Sequence, residues 1–103
     1  MAQMIRLSGK RFEFGRLVIT RGINDRMADD ANFAGFVVRS LHRHGKGDWG
    51  DMDALDKAEN ELSVDKYLRL FSAYDRPCPP SDRIWIITEA DRSTTTVLFP
   101  DEY

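Results

Sequence analysis

The sequence predicts an α+β fold: an antiparallel sheet of about four strands, one N-terminal and three in a C-terminal meander, with two or three helices on one face. Three observations predict it. Apolar runs of β type sit at residues 12–20, 67–74, 83–88 and 93–99, while helical apolar spacing fills the middle of the chain. Breaks rich in Gly, Pro and acidic residues separate these runs. The resulting order, one strand, then helices, then three strands, suits a sheet with its helices gathered on one face. At 103 residues, 42% hydrophobic and 31% charged, the chain is expected to form one domain spanning 1–103.

The elements follow in order. Residues 12–20 read as a strand, since Phe12 and Phe14 alternate before the run Leu17, Val18, Ile19, with Gly15 marking a bend. The polar stretch "RGINDRMADD" reads as either a short first helix or a turn. Asp30 is an expected N-cap for a helix carrying Phe33, Phe36, Val37 and Leu41, which Gly45 ends. Arg39, Arg43, His42 and His44 come late, where cations suit the negative helix end. The next helix starts near Asp51 or Asp53, either of which can cap it, and Leu55, Ala58 and Leu62 fall on one stripe with acids around them. "RIWIIT" is apolar on both faces, as a central strand would be; the proline-rich "DRPCPPSD" before it must be a loop, and "EADR" after it suits a tight hairpin.

The stretch "HRHGKGDWGDMDALDKAENE", residues 42–61, admits four chemical readings. Two histidines two apart on a helix point roughly 200° apart and make a poor metal pair, and the lone Cys78 adds little. A calcium loop from Asp51 would need glycine at its sixth position, where Asp56 stands. "GKGDWGD" lacks the spacing of a phosphate loop and does not follow a strand. A helix-loop-helix joint remains, with Asp48 and Asp51 bonding local amides and Trp49 pinning the loop to the core. No metal and no cofactor is expected.

Charge is unevenly distributed along the chain. Residues 1–47 carry +5, residues 48–65 carry −6 and the remainder −1, giving the net −2. Such an acidic block can attract a basic partner, or simply form a solvated helix face. One cysteine excludes an internal disulfide and suits a reducing cytoplasm; no signal-peptide or membrane-span pattern occurs, so a cytoplasmic location without membrane contact is expected. Arg6, Lys10, Arg11, Arg16 and Arg21 are basic, but no recognition helix or RNA-binding motif accompanies them, so direct nucleic-acid binding is not expected.

"GRLVIT", "HGKGDWGDMD", "SAY" and the ending "IWIITEADRSTTTVLFPDEY" resemble a family of small bacterial proteins of plasmids and integrated elements. That family is labelled plasmid-related, or sometimes a restriction-modification subunit. The resemblance implies a mobile-element protein and no particular reaction. The cofactor turn and catalytic motif of a methyltransferase are missing here, and Arg21 replaces the family's usual proline after the first strand.

The expected function is therefore that of a small protein-binding module, of the anti-CRISPR or anti-restriction type, that blocks a nucleic-acid-binding host defence complex. Its expected contact residues are Asp48, Trp49, Asp51, Asp53, Asp56, Glu59 and Glu61, with Glu89, Asp91 and Arg92 of the hairpin. Two other classes stay open. One is a small nuclease-like or toxin-like enzyme using groups such as Glu89, Arg92, His44 or Tyr103; the other is a regulatory or structural protein. Oligomeric state is not specified by the sequence.

Overall fold

A computed structural model describes residues 11–76 and 82–103. Along the chain come β1 (Arg16–Ile19), α1 (Arg21–Asp29), α2 (Ala31–Gly45), α3 (Ala54–Lys66), β2 (Leu70–Arg76), β3 (Asp82–Thr88), β4 (Thr94–Leu98) and a 3-10 turn, Pro100–Glu102. Cys78 and most of the proline-rich loop lie outside the described residues.

The sheet is mixed rather than antiparallel, in the order β1-β4-β3-β2. β2, β3 and β4 form the expected antiparallel meander, with Trp85 opposite both Ala73 and Leu98. β1 instead runs parallel to β4, with Val18 opposite Thr96. The meander begins at the far edge and advances inward through two reversals, so β4 arrives beside β1 pointing the same way. Sequence reading detects each strand but not the direction of a pairing between strands so far apart in the chain.

β1 is shorter than residues 12–20 because Gly15, at φ +64, turns the chain before it. Phe12 and Phe14 precede the turn and still pack into the core. The polar stretch after β1 is a helix, α1, and its N-terminus is capped from far away. Thr20 Oγ1 donates to Glu102 Oε1 at 2.6 Å and the Gly22 N–H donates to Glu102 Oε2 at 3.0 Å. A carboxylate thus meets the positive end of the helix.

Asp30 caps α2 as expected, its Oδ1 accepting from the Phe33 N–H at 3.1 Å. Phe33, Phe36, Val37 and Leu41 recur at helical spacing and bury against Tyr74, Ile84, Ile86 and Val97 of one sheet face. Fully burying each such side chain contributes roughly 1.5–3 kcal/mol relative to exposure. Arg26 and Arg76 both pair with Asp82, and both lie over the Phe33 ring.

α3 departs from the usual amphipathic pattern, in which the apolar stripe faces the core. Leu55 and Leu62 are 81% and 60% exposed, and the helix turns Asn60 and Ser63 inward instead. The reason is its neighbour. α3 runs beside β2, an edge strand whose outward backbone groups need polar partners, and an apolar stripe cannot supply them.

Candidate protein-binding surface

The joint between α2 and α3 is built as a plug for the open edge of β2. Its turn is held by Arg43, which pairs bidentately with Asp48 at 2.7 and 3.1 Å, and by Tyr74, whose hydroxyl donates to the Asp48 carbonyl at 2.6 Å. Trp49 is buried, stacks on Phe12 and donates its indole N–H to Glu61 at 2.9 Å. Gly50, at φ +80, brings the backbone against β2 so closely that a Cβ there would collide with the Ala73 carbonyl.

From that position the loop makes strand-like contacts. The Ala73 N–H donates to the Trp49 carbonyl, the Asp51 N–H donates to the Ala73 carbonyl, and the Asp75 N–H donates to the Asp51 carboxylate. Asp53 then caps α3 by accepting from the Asp56 N–H at 2.9 Å. Asp48, Trp49, Asp51 and Asp53, expected as contact residues, therefore have local structural partners.

The remaining expected residues divide. Glu61 is half-exposed, bound by Arg11 at 2.8 Å and by Trp49, and both bonds hold its carboxyl below the usual range, that of Arg11 most strongly. Asp56 and Glu59 are exposed, and neither joins an ion pair among the described residues. Glu89 and Asp91 lie at the β3–β4 hairpin, where Asp91 accepts from the Ser93 N–H and Glu89 sits 3.7 Å from Arg69.

Arg92 is not a surface group. It occupies the left-handed region at φ 60 and is 7% exposed. Its Nη1 donates to the Leu68 carbonyl at 2.7 Å and its Nη2 to the Ser63 carbonyl at 2.8 Å, with the Glu89, Ala90 and Val64 carbonyls also within reach. The guanidinium thus satisfies the last turn of α3 and the hairpin together, against a pKa lowered by burial.

His44 overturns the expectation of a cationic helix end. It is fully buried, and burial, with the Arg92 charge second, pushes its pKa down to about 3, so it is neutral. His44 Nδ1 meets Ser72 Oγ at 2.6 Å, Nε2 meets Thr88 Oγ1 at 2.9 Å, Thr88 meets Thr95 at 2.8 Å, and Thr95 donates to the Phe14 carbonyl at 2.8 Å. A carbonyl only accepts, so one direction follows for every proton. Thr88 donates to Thr95, His44 Nε2–H to Thr88, and Ser72 to Nδ1. His44, Arg92 and Tyr103, grouped in the enzyme reading, are not assembled: His44 is sealed in, Arg92 faces carbonyls, and Tyr103 is exposed beside Arg69 and Trp85.

Sequence reasoning missed Asn60, Ser72, Thr88 and Thr95. A polar residue inside a helical or β run carries no periodic signal of its own.

Among the described residues no group of three or more His, Cys, Asp or Glu could hold a metal ion. No described helix is long and apolar enough to cross a membrane. One exposed apolar surface among the described residues is the outward side of α3. At about 100° per residue, Leu55, Ala58 and Leu62 fall on the side opposite Asn60. With its cap this helix carries five acids, Asp53, Asp56, Glu59, Glu61 and Asp65, against Lys57 and Lys66. Comparison of the chain with protein-family models, curated proteins and solved structures gives no match.

Proposed function

We propose that the chain is a protein-binding module that engages a basic partner through the outward face of α3. The observation that carries this is the exposed Leu55–Ala58–Leu62 stripe, set within an acidic helix. Exposed apolar surface rimmed by charge marks contact sites, and burial of the two leucines, 81% and 60% exposed, recovers most of the roughly 1.5–3 kcal/mol of full burial for Leu55 and over half of it for Leu62. A second copy is a poor occupant, because two such helices each bring net negative charge to the contact. A cationic surface with an apolar ridge matches both features.

The partner class we favour is a nucleic-acid-binding complex of host defence, whose basic groove an acidic helix would occupy. Two things support it: the resemblance of "HGKGDWGDMD" and the C-terminal hairpin to proteins of mobile elements, and the concentration of negative charge in residues 48–65. The module would act as an inhibitor in the cytoplasm.

Affinity capture from a bacterial lysate, run in parallel with the wild type and a Leu55→Asp/Leu62→Asp variant, tests the proposal. The expected result is a nucleic-acid-binding complex retained by the wild type, lost with the variant and weakened as salt rises. Equal retention by both proteins, or no complex with the wild type, overturns it.

A further inference from the structure

The groove between α3 and β2 has a composition suited to one kind of side chain. It encloses about 280 Å³, near the lower end of the roughly 300–1,000 Å³ of pockets for whole small ligands, so it fits a side chain better. Met52 and Phe71, both partly exposed, give it an apolar lining.

The polar groups of its floor are already used. Asn60 is bonded in both directions to the Phe71 backbone, and the Ser63 hydroxyl donates to the Glu59 carbonyl at 2.8 Å. Arg69 also lines the groove, but its guanidinium is drawn to Glu89 and to the Tyr103 hydroxyl at 2.9 Å. The charges left for an occupant are the carboxylates of Asp56 and Glu59, three residues apart on the same helix.

We infer that this groove holds an arginine side chain of the partner segment that docks on α3; the inference rests on the α3 reading above. A guanidinium can stack on the Phe71 ring while its planar fork pairs with a carboxylate, which the compact, strongly hydrated ammonium of lysine does less well. Glu59 lies about 100° around the helix from Asn60, between the groove and the leucine stripe. One short segment can therefore place an arginine in the groove and an apolar residue on Leu55 and Leu62.

The test is selection of binders from a random short-peptide library displayed against the full chain. Enriched peptides should pair an arginine with a nearby Leu, Ile or Phe. Replacing that arginine with citrulline, its neutral isostere, should weaken binding on the order of 10-fold, as should Asp56→Asn/Glu59→Gln in the protein. Peptides that need Leu55 and Leu62 but bind the Asp56→Asn/Glu59→Gln variant unchanged overturn the arginine site and leave the α3 surface standing. Peptides indifferent to Leu55→Asp/Leu62→Asp, or no binders at all, overturn both.

Discussion

The Asn60 side chain makes both hydrogen bonds that a neighbouring strand would offer to Phe71: its Nδ2 donates to the Phe71 carbonyl at 2.6 Å and its Oδ1 accepts from the Phe71 N–H at 3.2 Å. With the Trp49 and Asp51 contacts to Ala73 and Asp75, the outward edge of β2 is occupied without a fifth strand among the described residues. Asn60→Ala should destabilise the fold by about 1–3 kcal/mol, the cost of stranding paired buried groups. It should also raise light scattering on heating, since a bare edge templates association. Urea unfolding with an unchanged midpoint would contradict this role.

His44 makes stability depend on pH in a defined direction. Its pKa is about 3 in the folded chain and near 6.5 when unfolded, so below about 6.5 the unfolded state binds the extra proton. The contribution of neutral His44 is complete above that value and shrinks by about 1 kcal/mol per pH unit as pH falls towards 3. His44→Gln should be less stable at neutral pH and should flatten this acid-side slope. An identical slope in wild type and variant would assign it to other groups.

Trp49 and Glu61 should separate in a mutant series. Trp49→Ala should cost about 3–5 kcal/mol through loss of a buried ring from the Phe12 stack. Trp49→Phe keeps an aromatic ring and forfeits the bond to Glu61, for about 0.5–1.5 kcal/mol. Equal losses for the two variants would mean that the indole N–H, and not the packing, holds the joint.

Arg92→Lys should be destabilising despite the conserved charge, because an ammonium cannot reach carbonyls of α3 and of the hairpin at once. A loss of about 1–3 kcal/mol is expected, read from thermal or urea unfolding. A neutral outcome would show that charge alone satisfies the site.

Leu55→Gln/Leu62→Gln should change stability by no more than about 0.5 kcal/mol per site, as exposed positions do. A loss of several kcal/mol would return these leucines to the core and remove the proposed surface.

The difference between what was legible and what was not follows from range. Asp30, Gly45 and the hairpin after β3 act within a few residues of themselves, and sequence spacing reads them correctly. The segment 83–88 was legible as a central strand because an interior strand must be apolar on both faces, and β3 is interior. Of the acids expected on a solvated helix face, 53, 56, 59 and 61, the first three are exposed, while Glu61 is half-exposed and bound by Arg11 and Trp49. What failed were inferences that required knowing the neighbour. Leu55, Ala58 and Leu62 have the periodicity of a core stripe, yet α3 meets an edge strand that demands Asn60. His44 has the composition of a helix-ending cation, yet α2 drives it among the Phe12, Phe14 and Trp49 rings, where two hydroxyls take its nitrogens. Arg92 has the composition of an exposed hairpin contact residue, yet its carbonyl partners, in segments 63–68 and 89–90, hold it inside.

The parallel pairing of β1 with β4 also orders events in time. Thr95 donates to the Phe14 carbonyl across 81 positions, and Thr20 donates to Glu102 across 82. A ribosome adding about 5–20 residues per second makes β1 several seconds before the strand that receives it. Through that interval β1 has no sheet neighbour among the described residues, while the α1–α2 pair has already left the exit tunnel beside it. A nascent chain arrested after β3 should therefore remain sensitive to protease, with resistance appearing only once residues 94–98 have emerged.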